Sequence, residues 1–129
     1  MSHRFPGGAD DRRSVGTSGE EVAWRHLERA GYSLVAKNFR SRFGEIDLVV
    51  ERAGVLVFVE VRSRRGDRYG SALESVGRRK QRQIGRMALE FVARRRLSDR
   101  RARFDVVAIE WQDGEPRIDH VEGAFQLVS

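Results

Sequence analysis

Two short stretches place carboxylates in segments that are otherwise apolar. They are Gly44-Glu45-Ile46-Asp47 and the end of Val57-Phe58-Val59-Glu60-Val61-Arg62. Both are rich in the β-branched and aromatic residues that favour strands. Arg52-Ala53-Gly54-Val55, between them, reads as a hairpin turn. A two-residue loop (Ala53-Gly54) or a four-residue loop (Arg52 to Val55) gives one register, in which paired positions sum to 107. That register sets Asp47 directly opposite Glu60, and Glu45 opposite Arg62. Opposed side chains have β-carbons about 4.5–5.5 Å apart, and like charges there destabilise a sheet. Two carboxylates so placed call for a cation, and a divalent metal held by Asp47 and Glu60 is the natural reading.

Each residue also has a plainer reading. Glu60 can pair with Arg62 two residues along, and Asp47 can meet solvent at a strand end. Their coincidence across two strands favours the metal. Glu20 lies one helical turn before Ala23 and Trp24, so periodicity points it toward the sheet as a further acidic group. Equally, it is a favourable charge near a helix N-terminus. Lys80, one of two lysines in the chain, stands four residues before Ile84 on the inward stripe of a second helix. It either reaches a phosphate over the metal pocket or snorkels from the core edge.

The elements that must position these residues follow from pattern. Residues 1–15 lack periodicity and read as a disordered tail, leaving 16–129 as a single domain. A helix is predicted from Ser18 to Ala30, with Ser18 and Glu21 as a capping box and Ala23, Trp24, Leu27 and Ala30 as its apolar stripe. Gly31 ends it. Tyr32 to Phe39 reads as a strand, followed by the hairpin. On its second arm Leu56, Phe58 and Glu60 share one face and Val55, Val57 and Val59 the other, so this strand is expected to be central and covered on both sides. Residues 63–74 read as a loop. A long helix from Ser75 to Arg95 turns Ile84, Met87, Ala88, Phe91 and Val92 inward. A strand from Ala102 to Trp111, a turn over Gln112 to Pro116 and a short last strand complete an α-β-β-β-α-β-β order.

Composition narrows the chemistry. A chain of 129 residues with 40% hydrophobic content suits one core. The absence of cysteine removes disulfides, thiolate metal sites and cysteine nucleophiles together. No apolar run approaches the ~20 residues that span a bilayer, so no membrane partner is expected, and a cytoplasmic location is. From Arg62 to Arg103 there are fifteen Lys and Arg against four acids, a net of +11 within a chain of +6. Such asymmetry fits a polyanion-binding face beside an acidic pocket. His3, His26 and His120 lack partners at metal-ligand spacing, and no Walker loop, nucleophile elbow or dinucleotide fingerprint is present.

Gly19-Glu20-x-x-Ala23-x-x-x-Leu27, Gly44-Glu45-Ile46-Asp47, Val57-Phe58-Val59-Glu60-Val61-Arg62, Lys80 and Arg103-Phe104-Asp105-Val106-Val107 together resemble the bacterial YraN-like family of predicted endonucleases. The match runs from residue 16 to about 125. The family is placed in the PD-(D/E)xK nuclease superfamily, near archaeal Holliday junction resolvases and restriction endonucleases. The resemblance implies an α/β fold, a restriction-endonuclease-like αβββαβ core with a mixed central sheet flanked by helices. It implies Mg²⁺ (or Mn²⁺) and hydrolysis of DNA phosphodiester bonds. Asp47 matches the motif aspartate, Glu60 the glutamate, and Glu20 the acidic residue of the first helix, so Asp47, Glu60 and Glu20 are the implied metal ligands. Resolvases act as symmetric dimers, which makes a homodimer one of the expectations.

Arg62 stands where the superfamily has lysine. A guanidinium stays protonated in proteins, so it cannot act as a general base. It can still stabilise charge on the attacked phosphate, or Lys80 can supply the ammonium from the helix. The first function class is therefore a Mg²⁺-dependent endonuclease acting on DNA, branched or damaged DNA included. Glu20, Asp47, Glu60, Arg62 and Lys80 would be catalytic, while Arg64, Arg65, Arg68, Arg78, Arg79 and Arg82 hold flanking phosphates. The second is a nucleic-acid-binding module on the nuclease fold without the chemistry. The third is an adaptor whose basic face meets an acidic protein.

Overall fold

The runs rich in β-branched and aromatic residues become strands, and these assemble into one sheet. The computed structural model describes residues 11–65 and 76–125, with side chains from 19 to 63 and 76 to 125. Helix α1 (Asp11–Arg29) precedes strands β1 (Ser33–Ser41), β2 (Gly44–Arg52) and β3 (Val55–Arg65). Helix α2 (Arg78–Arg94) crosses over to β4 (Arg101–Gln112), and β5 (Glu115–Phe125) follows. The strands form one sheet in the order β1-β2-β3-β4-β5. β1, β2 and β3 are mutually antiparallel, β4 runs parallel to β3, and β5 is antiparallel to β4. This is an α/β fold with a mixed five-stranded sheet and two helices, consistent with a restriction-endonuclease-like core. No helix among the described residues is long and apolar enough to cross a membrane.

β3 is the central strand, as its two apolar faces require. One face carries Leu56 and Phe58 into a cluster with Ile84, Met87, Ala88 and Phe91 of α2. The other carries Val57 and Val59 against Ala23 and Leu27 of α1. Val92, expected inward on α2, is partly buried against the first cluster. Leu48, Val49 and Val50, and Val106, Val107 and Ile109, are wholly buried in the flanking strands. At about 25 cal/mol per Å² of apolar area removed from water, such side chains contribute roughly 1.5–3 kcal/mol each before entropy is counted.

Several boundaries differ from the pattern reading. α1 starts at Asp11, so residues 11–15 of the expected tail are helical and Ser18 lies within the helix rather than at its N-cap. Residues 1–10 lie outside the described part. Nothing between Asp11 and Ser18 is proline, so the i→i−4 ladder continues through the cap signature. Glu21, assigned to that cap, instead pairs with Arg25 at 2.8 Å. Ala30, counted in the apolar stripe, lies just past the helix and is exposed. Gly31 does end the helix, with φ +97° and hydrogen bonds from Gly31 N–H to Glu28 and from Tyr32 N–H to Leu27. β3 extends to Arg65 into the expected loop. The last connection is a two-residue turn, Asp113-Gly114, both with positive φ. β5 is 11 residues long and includes Pro116, which an edge strand tolerates because one side of its backbone is unpaired.

β4 and β5 are joined by a buried polar knot that reaches Tyr32, between α1 and β1. Asp105 on β4 is fully buried. It accepts from both Arg103 Nε and Nη2 at 2.9 Å and from Gly123 N–H at 3.0 Å, and it lies 2.7 Å from His120 Nε2. Arg103 also donates to Tyr32 Oη at 2.6 Å. Burial alone would raise the Asp105 carboxyl, but these hydrogen bonds and the guanidinium hold it below its ordinary value.

Candidate metal centre

The register of the β2–β3 hairpin is the one the sequence implies. Leu48 pairs with Val59, Val49 with Phe58, Val50 with Val57 and Arg52 with Val55. The turn is the two-residue Ala53-Gly54 form, with φ 52° and 80°. The ladder stops at Leu48 and Val59, one step short of the carboxylates. Asp47 is therefore not a ladder partner of Glu60, nor Glu45 of Arg62. The Asp47 carboxylate instead accepts from Val61 N–H at 2.8 Å, and Glu60 pairs with Val106 of the parallel β4.

The cause lies one strand away. β1 and β2 pair Phe39 with Ile46 and Lys37 with Leu48, but Asn38 and Asp47 between them are unpaired and Asn38 has φ 50°. Strict alternation would put Ile46 and Leu48 on one face. Here Ile46 packs with the α2 cluster and Leu48 with the α1 cluster. This local twist in both strands brings Asp47 toward the first helix.

α1 approaches the same spot. A β-carbon on Gly19 would lie 3.2 Å from Ser63 Cβ, so glycine permits the close approach of α1 to β3. The next residue, Glu20, then faces the sheet, as its periodicity suggests. One carboxylate oxygen from each of Glu20, Glu45 and Asp47 lies within 4.8 Å of the others. Asn38 Nδ2 donates to Glu45 at 2.6 Å and to both Glu20 oxygens at 3.3 and 3.4 Å.

The trio differs from the expected ligand set: Glu45 is in it and Glu60 is not. The sequence places Glu45 within Gly44-Glu45-Ile46-Asp47 and opposite Arg62 but assigns it no ligand role, and Asn38 carries no signal. Glu60 is buried, with Arg62 Nη2 at 3.3 Å and Lys80 Nζ at 3.8 Å. Both cations expected near the pocket thus meet Glu60. Arg62 Nε is itself buried without an acceptor among the described residues.

The electrostatics report crowded acids. Burial, then the charges of Glu60, Glu20 and Glu45, push the Asp47 carboxyl from 3.8 to about 7, against the lowering effect of the Val61 hydrogen bond. Burial raises Glu20 as well, with Glu45 adding to it and Asn38 and Lys37 opposing. Glu60 is raised by burial despite Lys80 and Arg62. Like charges gathered in partial burial favour either protons or a cation. Three oxygen donors of this kind suit a hard divalent ion such as Mg²⁺ or Mn²⁺, so the residues present fit the implied metal.

The arginines divide. Arg78, Arg79 and Arg82 are exposed on α2, and Arg79 and Arg82 line an open groove of about 300 Å³ with Gln83 and Arg86. Arg64 and Arg65 end β3 with side chains outside the description, and Arg68 lies outside the described residues.

A family model described as "Uncharacterised protein family UPF0102" matches residues 19–109. A UPF0102 protein of Trichlorobacter lovleyi is 45% identical over 117 residues, covering 89% of this chain and 92% of its own length. One from Geobacter metallireducens is 43% identical over 115 residues, covering 89% and 94%. One from Symbiobacterium thermophilum is 46% identical over 114 residues, covering 88% and 97%.

Proposed function

Since the chain belongs to UPF0102, the YraN-like family, we propose that it is a metal-dependent endonuclease hydrolysing phosphodiester bonds of DNA. The observation that carries this reading is the gathering of Glu20, Glu45 and Asp47 within 4.8 Å beside a fourth acid, Glu60, that holds Arg62 and Lys80. Glu20, Glu45 and Asp47 would hold Mg²⁺ or Mn²⁺. Bound there, the ion would lower the pKa of its water and offset charge on the attacked phosphate.

The chain's own groups have separable tasks. Asn38 aims the Glu20 and Glu45 carboxylates by donating to both. The Val61 N–H fixes one Asp47 oxygen. Glu60 anchors Arg62 and Lys80, whose positive charges face the oxygens of a scissile phosphate entering the pocket. Arg62 Nε, lacking an acceptor among the described residues, has a donor to offer. Neither cation is required to remove a proton in this arrangement.

A second reading, a binding module that keeps the fold without the hydrolysis, draws on one observation: Glu60 is occupied by two cations and lies outside the acidic trio. The purified protein, incubated with supercoiled, single-stranded and four-way-junction DNA in Mg²⁺, Mn²⁺ or EDTA, decides between them. Metal-dependent cleavage that Asp47→Asn abolishes supports the nuclease, and Arg62→Lys is expected to keep or raise it. Tight binding with no cleavage by either protein supports the module.

A further inference from the structure

Most acidic residues near the basic half of the chain are already engaged. Arg94 pairs with Glu90, Arg100 with Glu51, Arg103 with Asp105 and Arg117 with Glu110. Arg79, Arg82 and Arg86 of α2 and Arg42 of the β1–β2 turn have no carboxylate within ion-pair distance among the described residues, and all four are exposed. The first turn of α2 contains no acid.

Two of the four, Arg42 and Arg86, share one aromatic ring. Arg42 Cζ lies 5.2 Å from the centroid of Phe43, and Arg86 Cζ lies 5.6 Å from it. Phe43 is half-buried against the α2 core cluster. Gly44, with φ +138° and Met87 3.6 Å from where its β-carbon would be, seats the turn on α2. The turn also leads directly into Glu45, so whatever lies along this ridge runs into the acidic trio. Exposed arginines ordinarily lose much side-chain entropy on binding. Two guanidiniums resting on one anchored ring are partly ordered beforehand.

We propose that Arg42, Phe43 and Arg86, with Arg79 and Arg82, form a phosphate track that holds one strand of nucleic acid beside the acidic trio. This rests on the nucleic-acid reading above and adds the turn and Arg86 to it. From Arg79 to Arg86 the helix advances about 10 Å, the axial length of roughly three phosphates on one duplex strand. The contacts are to backbone, so the track positions the strand without reading its sequence.

The test uses the full chain in EDTA with a short fluorescent duplex, following anisotropy from ~50 to ~200 mM salt. Arg42→Ala with Arg86→Ala is expected to flatten the slope of log K against log salt by about 1.8, at about 0.9 per phosphate contact. Phe43→Leu keeps the charge and the apolar anchor; it is expected to weaken binding about fivefold with the slope unchanged. Arg117→Ala, which removes one positive charge at a paired arginine on β5, should leave the slope alone. A double variant whose slope matches wild type, or a Phe43→Leu protein of wild-type affinity, overturns the track while leaving the nuclease reading standing. A wild-type protein that binds no nucleic acid overturns both.

Discussion

Replacing Asp47 by Asn isolates the charge that the cluster strains against. Asn keeps the shape and one acceptor for the Val61 N–H, but removes the ionisation. In the metal-free protein the Asp47 carboxyl is raised from 3.8 to about 7, so between those values the folded state binds the proton and the unfolded state does not. Stability therefore falls as pH rises across that window. Three pH units at 1.36 kcal/mol each set a ceiling of about 4 kcal/mol; partial exposure to solvent brings the expected value to about 2–4 kcal/mol. For a domain of this size that is on the order of 10 °C in Tm. Thermal melts in EDTA should show Asp47→Asn roughly 10 °C above wild type at pH 8 and close to it near pH 4. Adding Mg²⁺ or Mn²⁺ at pH 8 should raise the wild-type Tm and scarcely move the variant, because binding requires the carboxylate. The reasoning fails if the difference between the two proteins is independent of pH, or if the variant gains as much from the ion as wild type.

Glu45→Gln should cut Mn²⁺ affinity at least tenfold by titration calorimetry, with the fold retained by circular dichroism, because Glu45 belongs to the trio and Glu60 does not. Asp105→Asn should destabilise the fold by about 3–5 kcal/mol in urea melts, since it leaves Arg103 facing a broken buried pair. The Asp105 carboxyl is held below its ordinary value, so its contribution is complete above pH 3.8 and is lost as pH falls through the lower folded value. Acid titration of wild type followed by tryptophan fluorescence should show a transition there that Asp105→Asn lacks.

Much of this architecture is written in local pattern. The two-faced apolar run from Val55 to Val59 can only be a covered central strand, because burying both faces is what removes that surface from water. Ala53-Gly54 sets the hairpin register, because only one loop twist matches the flanking strands, and Glu20, Asp47, Glu60, Arg62 and Lys80 all lie around one region of the sheet. The remainder depends on contacts distant in sequence. Alternation predicts Asp47 opposite Glu60, but Asn38 and Asp47 leave the ladder together, and Ile46 and Leu48 then pack into different layers. That twist is stabilised by the Asn38 bridge from Glu45 to Glu20, the latter eighteen residues away, and by the close approach of α1 at Gly19 to Ser63. Strand periodicity encodes which side of an ideal pleat a residue occupies. Where the pleat breaks, only the docking of α1 decides which carboxylates come together, and so Glu45 joins Glu20 and Asp47 while Glu60 is left to Arg62 and Lys80.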